Sequence, residues 1–163
     1  MARFWTGLLV VLALGAAPGW AEGRRTALGV GNLGIFGPTD EFEVAVSAAL
    51  EGSEMRDWWG IRPLAEVIYQ PDDTYYVGVG GLLDYALRER WSWGVGAAAG
   101  YYHRGDEGKD LGHRLEFHTR IFLAYLFAAG STLRAELGHI SNAELDDVNP
   151  GTEYFGLSWV FPF

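Results

Sequence analysis

From about residue 27 onward, the sequence alternates between apolar and small or polar residues with a period of two. In the clearest segment, apolar residues that include every aromatic side chain share one parity: Trp91, Trp93, Val95, Ala97, Ala99 and Tyr101. Small residues occupy the other parity: Ser92, Gly94, Gly96, Ala98 and Gly100. Successive side chains of a β-strand point to opposite faces, so this pattern predicts strands with one apolar face each.

Eight such segments, each of roughly ten residues and separated by polar turns, predict an all-β chain. The predicted strands are about 26–36, 41–51, 58–69, 74–86, 91–103, 114–127, 132–142 and 152–163. The two longest predicted connections, 104–113 and 143–151, both follow an odd-numbered strand and therefore lie at the same end. Long loops of outer-membrane barrels face outwards, which places the N-terminus of the barrel in the periplasm.

Alternating strands form either a soluble, lipocalin-like barrel with an apolar interior or a membrane barrel with an apolar exterior. Two features favour the membrane barrel. Large aromatic residues cluster near strand ends on the apolar parity, as an interfacial girdle requires. The other parity combines glycine and alanine with charged residues that suit a closed polar interior: Arg62, Glu66, Asp84, Glu116, His118, Arg120, Arg134 and Glu136. The sequence thus predicts an eight-stranded antiparallel outer-membrane β-barrel over residues 22–163.

The first 21 residues are typical of a secretory signal peptide. A basic start at Arg3 precedes an apolar run over 8–17 that is too short to span a bilayer, and small residues follow at Gly19 and Ala21. We expect cleavage after Ala21, and an uncleaved N-terminal anchor is the alternative. Cysteine is absent, which excludes disulfides and thiolate chemistry, and a formal charge of -9 argues against a nucleic-acid partner.

Three polar residues interrupt the apolar parity near the C-terminus. His139 and Ser141 follow Leu137 on the outward parity of the seventh strand, and Glu153 has the outward parity of the eighth. A hairpin closed near residues 146–147 would set Glu153 opposite His139 or Ser141. Serine attacks an ester when an imidazole accepts its proton and a carboxylate orients that imidazole. The pattern predicts Ser141 as nucleophile, His139 as general base and Glu153 as orienting carboxylate.

The same residues also have a simple explanation, since strand ends near lipid headgroups are often polar and face water. Neither a G-x-S-x-G elbow nor an H-E-x-x-H metal motif occurs in the chain. The adjacent Asn142 could donate its side chain or backbone N–H to an oxyanion. The proposed chemistry requires no metal and no cofactor.

The stretch His139-Ile140-Ser141-Asn142-Ala143, followed by Asn149-Pro150-Gly151 and Glu153, closely resembles the lipid A 3-O-deacylase (PagL-type) family. Segments 58–63 and 108–112 are similar as well, though less specifically. The resemblance implies an eight-stranded outer-membrane barrel that releases the 3-position acyl chain of lipid A. It also implies a Ser-His-Glu site on the outer face, with Asn142 and Asn149 in oxyanion stabilisation and site architecture.

One position departs from the family pattern, since Glu144 stands where a glycine commonly follows the Asn-Ala pair. A backbone N–H that binds the oxyanion there would have an altered geometry.

Other polar candidates carry weaker signals. His118 has the inward parity and is expected in the interior charge network rather than in a metal or catalytic site. His103 and His113 flank the 104–113 loop too loosely for a metal site. The basic residues of this loop could contact lipid A phosphates, or the loop's charges could simply be solvated, which we favour.

Two rival functions remain at this stage. A non-enzymatic barrel for adhesion or envelope integrity would have a polar rim without activity. A barrel acyltransferase or phospholipase would act on another lipid or acceptor. The sequence indicates lipid A in the outer membrane as substrate and leaves open whether the protein forms a homodimer.

Overall fold

A computed structural model describes residues 23–34 and 44–163, which form a closed antiparallel barrel in which each strand pairs with its neighbours in sequence and β8 pairs with β1. The strands are β1 (Arg25–Leu33), β2 (Val44–Glu51), β3 (Arg62–Tyr69), β4 (Tyr75–Arg88), β5 (Trp91–His103), β6 (Leu115–Leu126), β7 (Thr132–Ser141) and β8 (Thr152–Pro162). Closure removes the unpaired edges that an open sheet would expose. The predicted eight-stranded all-β fold is therefore confirmed.

The outer surface of the barrel is apolar, as the parity argument predicts. On β6, Ile121 and Leu123 are exposed, whereas Phe122 between them and Arg120 before them are buried. Aromatic rings form a girdle on the outer face where β4, β5, β6 and β8 meet the short turns. Trp93 stacks on Tyr85 at 5.0 Å and Trp159 stacks on Phe127 at 5.0 Å between ring centroids. An apolar wall with aromatic girdles is the surface that a transmembrane barrel presents to lipid.

Helices contribute little to the described part of the chain, where none is long and apolar enough to cross a membrane.

Inside the barrel, most buried charges pair across strands, whereas neither carboxylate oxygen of the buried Glu116 has a hydrogen-bond partner among the described residues. Glu66 of β3 accepts a hydrogen bond from Arg120 of β6 and lies 3.2 Å from Nδ1 of His118. Glu51 of β2 pairs with Arg134 at 2.5 Å and with Arg25 at 2.7 Å. Such pairing offsets the cost of removing charges from water. His118 therefore lies in the interior network, where its partner is Glu66 across the barrel.

Apolar side chains fill the rest of the interior, which is more mixed than a purely polar lumen. One buried cluster lies towards the end of the barrel at which β5 joins β6 and β7 joins β8, here called the loop end, and includes Tyr76, Ile140 and Tyr154. The second cluster, which includes Leu82 and Phe122, lies nearer the opposite end. The interior is thus packed with side chains, which support the strands that carry the candidate site.

The third strand begins later than predicted. Residues 58–61 do not continue β3, because Arg56–Trp58 form a short 3-10 helix and Trp59 has a positive φ of 54°. Trp59 is 89% exposed and belongs to the connection 52–61, not to the outer wall of the strand. This connection lies at the end opposite the loop end, so loop length alone is a weaker guide to orientation than the sequence suggested.

Three predictions lie outside the described residues. They are the signal peptide over 1–21, the turn over 37–40 and the facing ends of the first two strands.

Candidate active site

The hairpin β7–β8 brings His139 and Glu153 directly opposite each other on the outer face. The register pairs His139 with Glu153 and Ile140 with Thr152, which resolves the two alternatives left by the sequence. Nδ1 of His139 lies 3.6 Å from Oε1 of Glu153, and their side chains are 47% and 31% exposed. The separation is slightly longer than a hydrogen bond, which is common in sites without substrate.

The ring of His139 extends from Glu153 towards the level of Ser141. Gly151 is the next residue of the ladder after Thr152, and a Cβ atom built on it would lie 2.5 Å from Cε1 and 2.8 Å from Nε2 of His139. The imidazole therefore lies against the Gly151 backbone, with Nδ1 facing the carboxylate and its Nε2 edge towards the strand position across from Ser141. Gly151 also has a φ of +59°, which favours glycine.

Ser141 is the last residue of β7 and shares the outward parity of His139. Its neighbour across the β6–β7 ladder is Phe117, and Thr119 of β6 lies beside His139. Below the three polar residues the outer face is apolar again, with Leu137 and Phe155 exposed. A serine, a histidine and a glutamate thus share the outer face where the apolar wall meets the loop end.

Asn142 is fully buried and links the two large loops at the loop end. Its side-chain amide donates to the carbonyl oxygen of Leu111 at 2.9 Å and to that of Val148 at 2.8 Å. Its backbone N–H donates to Oδ1 of Asn149 at 3.1 Å. All three of its N–H donors have partners within the protein, so the expectation that Asn142 donates to an oxyanion does not fit this structure. Asn142 and Asn149 fit the architectural role.

The residues after Asn142 form a tight turn with strained backbone. Ala143 and Glu144 have φ values of +53° and +64°, and the N–H of Leu145 donates to the carbonyl oxygen of Asn142 at 3.1 Å. These features define a turn of type I′, which normally selects glycine or asparagine. A left-handed conformation costs a residue with a side chain about 1–2 kcal/mol. The glycine expected in place of Glu144 would meet this demand without strain.

Sequence reasoning missed Gly151 and the backbone of the 142–145 turn. The Asn-Pro-Gly sequence does indicate a turn before β8. The contact of Gly151 with the His139 ring depends on the register of β7 with β8. The sequence left two registers possible, with Glu153 opposite either His139 or Ser141.

The other candidates do not join this site. His118 faces the interior, and His103 stacks on Tyr75 of β4 at 4.9 Å. Nδ1 of His113 accepts a hydrogen bond from the N–H of Leu115 at 2.9 Å.

A closed barrel with an apolar outer wall, carrying a Ser-His-Glu cluster on that wall, defines a transmembrane β-barrel with a candidate hydrolase site at its lipid-facing surface. The model of the family described as lipid A 3-O-deacylase (PagL) matches residues 40–162, and the chain belongs to this family. The resemblance predicted from the 139–153 motif is thereby confirmed. No curated protein matches the chain by sequence.

Solved structures support the fold. The chain is similar to the crystal structure of the outer membrane enzyme PagL, with a TM-score of 0.67 and 19% identity, covering 85% of this chain and 99% of that one. It is also similar to a de novo designed transmembrane β-barrel, with a TM-score of 0.56 and 11% identity, covering 86% of this chain and 97% of the designed one. Both likenesses concern the fold, and a fold by itself does not assign an activity.

Proposed function

We propose that this chain is a serine esterase of the outer membrane, which hydrolyses the 3-O-linked acyl chain of lipid A through Ser141, His139 and Glu153. Membership in the lipid A 3-O-deacylase family supports ester hydrolysis. The observation that carries the residue assignment is the pairing of His139 with Glu153 on the outer face, with the imidazole extended towards the level of Ser141.

In the proposed reaction, Oγ of Ser141 attacks the ester carbonyl carbon while Nε2 of His139 accepts the serine proton. Glu153 stabilises the resulting imidazolium through Nδ1. The tetrahedral intermediate collapses as the sugar 3-oxygen leaves with the proton from His139, which produces an acyl-serine and a free hydroxyl group. Water, activated by the same histidine, then releases the fatty acid and restores Ser141.

The oxyanion needs donors that are not already used within the protein. The backbone N–H groups of Ala143 and Glu144 have no hydrogen-bond partner among residues 23–34 and 44–163, and they follow directly after Ser141 and Asn142. We assign the oxyanion to these two groups. A donor of this kind is typically worth about 3–4 kcal/mol in the transition state.

The apolar wall explains how a membrane lipid reaches the site. Leu137, Phe155 and Leu157 continue the outward stripe of β7 and β8 away from Glu153, so acyl chains can lie along them. An ester at the boundary between chains and headgroup then lies level with Ser141. With the loop end outside the cell, where the longer loops of such barrels lie, the N-terminus of the barrel faces the periplasm.

The test is the reaction of purified protein with lipid A in detergent micelles, followed by mass spectrometry of both products. Wild-type protein should release a free fatty acid and leave lipid A lighter by one 3-O-acyl chain. Ser141→Ala should release none, although it folds, because the substitution removes only a hydroxyl group at a strand end. The proposal fails if Ser141→Ala keeps wild-type activity, or if the released chain is transferred to another lipid.

A further inference from the structure

The wall beside the proposed nucleophile contains an open cavity of about 300 Å³ at the loop end. The cavity lies between the end of β5, the start of β6 and the loop that joins them, and it is here called the rim cavity. Basic side chains and imidazoles dominate its polar lining: His103, Arg104, His113 and Arg114. Asp110 contributes a carboxylate.

The lining of the rim cavity carries two arginines and one aspartate, in a protein whose formal charge is -9. Arg104 pairs with Asp110 at 3.1 Å, so this acid does not compensate the second arginine of the lining, Arg114. Arg114 is exposed and makes no ion pair within the described ranges 23–34 and 44–163. The exposed imidazole of His113 is held at Nδ1 by the backbone N–H of Leu115, so its Nε2 edge is the part that can contact a ligand. The rim cavity therefore offers N–H donors and positive charge to an anion.

Direct contacts connect the rim cavity to the proposed active site. The carbonyl oxygen of Leu111, a lining residue, accepts from the side chain of Asn142, which is next to Ser141. Gly112, also in the lining, lies so close to Val148 that a Cβ atom would come within 1.9 Å of its carbonyl oxygen. In the ladder, one strand separates β5 from β7, which corresponds to a lateral distance of about 10 Å.

We infer that the rim cavity binds a phosphate group of the saccharide headgroup while the acyl ester of the same lipid lies at Ser141. The inference rests on the proposed function for the position of the ester, but the binding of the anion does not require catalysis. Arginine binds phosphate through paired N–H groups, and contacts of this kind set the orientation of a substrate. The headgroup would thus be held at two points, which directs one ester towards the nucleophile.

The test measures binding in the Ser141→Ala background, so that it is independent of turnover. The probes are lipid A with its phosphates and the same lipid A after dephosphorylation, both in neutral detergent micelles. The Ser141→Ala protein should prefer the phosphorylated lipid, and adding Arg114→Gln should reduce that preference about five- to tenfold. The matched control, Arg90→Gln, removes an exposed arginine at the opposite end of the barrel and should keep the full preference.

The inference is wrong if Arg114→Gln and Arg90→Gln show the same preference, or if the Ser141→Ala protein does not distinguish the two lipids. Inorganic phosphate separates two sources of the anion. If it competes with the phosphorylated lipid, the rim cavity accepts phosphate as such; if it does not compete while the Arg114 effect persists, the rim cavity accepts phosphate only on the headgroup. Absence of hydrolysis by wild-type protein would refute the proposed function and leave this binding result intact.

Discussion

Gly151→Ala is expected to slow ester hydrolysis by displacing the ring of His139. The new methyl group would lie 2.5 Å from Cε1 and 2.8 Å from Nε2 of the imidazole. Non-bonded carbon atoms normally lie about 3.5–4 Å apart, so the ring must retreat by about 1 Å. A misplacement of this size can cost about 100-fold in rate. We therefore expect kcat to fall by about two orders of magnitude, with a much smaller change in KM.

Gly130→Ala separates the contact with His139 from backbone strain. Gly130 lies between β6 and β7 with a φ of +87°, and a Cβ atom there would meet nothing within 4 Å. Both alanine variants carry the cost of a left-handed backbone, about 1–2 kcal/mol, but only one of them meets the imidazole. The assay is the rate of fatty-acid release by folded protein in micelles, with the folded fraction measured for each variant. Equal rates for the two folded variants would show that the contact between residue 151 and the His139 ring does not control hydrolysis.

Three further variants test the strained turn after Asn142, the interior ion pairs and the hydrogen bonds that link the two large loops. Glu144→Gly should raise the free energy of unfolding by about 1 kcal/mol or less. It removes left-handed strain of about 1–2 kcal/mol, and the greater entropy of glycine in the unfolded chain offsets about 0.5–1 kcal/mol of that gain. A lower urea midpoint than wild type would contradict this. Glu66→Ala should lower the free energy of unfolding by up to about 3–5 kcal/mol, since the buried Arg120 then keeps only Glu136, at 3.5 Å, as a carboxylate partner; denaturation in micelles would show it, and a neutral effect would disprove the pairing. Asn142→Ala should remove the side-chain donors to two carbonyl oxygens, which should lower the free energy of unfolding by about 1–3 kcal/mol for each. Amide hydrogen exchange should become faster in both loops that Asn142 connects. Unchanged exchange would argue against the link.

Strand parity predicted most of the fold because a period of two is a local property of the chain. The inward and outward assignments on β6, β7 and β8 needed only the alternation itself. The start of β3 was wrong because Trp59 has the parity of an outward girdle residue. Its positive φ belongs to the turn after the short helix, and the alternation of apolar and polar residues does not predict that turn.

The candidate site was predictable to a similar extent. The outward parity of His139, Ser141 and Glu153 follows from the sequence, and the hairpin restricts Glu153 to one of two partners. The roles of Asn142 and Gly151 depend on contacts between loops that are distant in sequence, such as the hydrogen bond from Asn142 to Leu111. No local pattern predicts such contacts, and for this reason Asn142 was assigned as an oxyanion donor.

In the proposed function, His139 activates Ser141 as a nucleophile on the outer wall of the barrel. The most direct measurement is labelling with a long-chain alkyl phosphonate that carries a fluoride leaving group, followed by mass spectrometry of the digested protein. We expect one adduct, on the peptide that carries Ser141, and at least a hundredfold slower labelling of His139→Ala. An adduct on another residue, or equally fast labelling of His139→Ala, would contradict it.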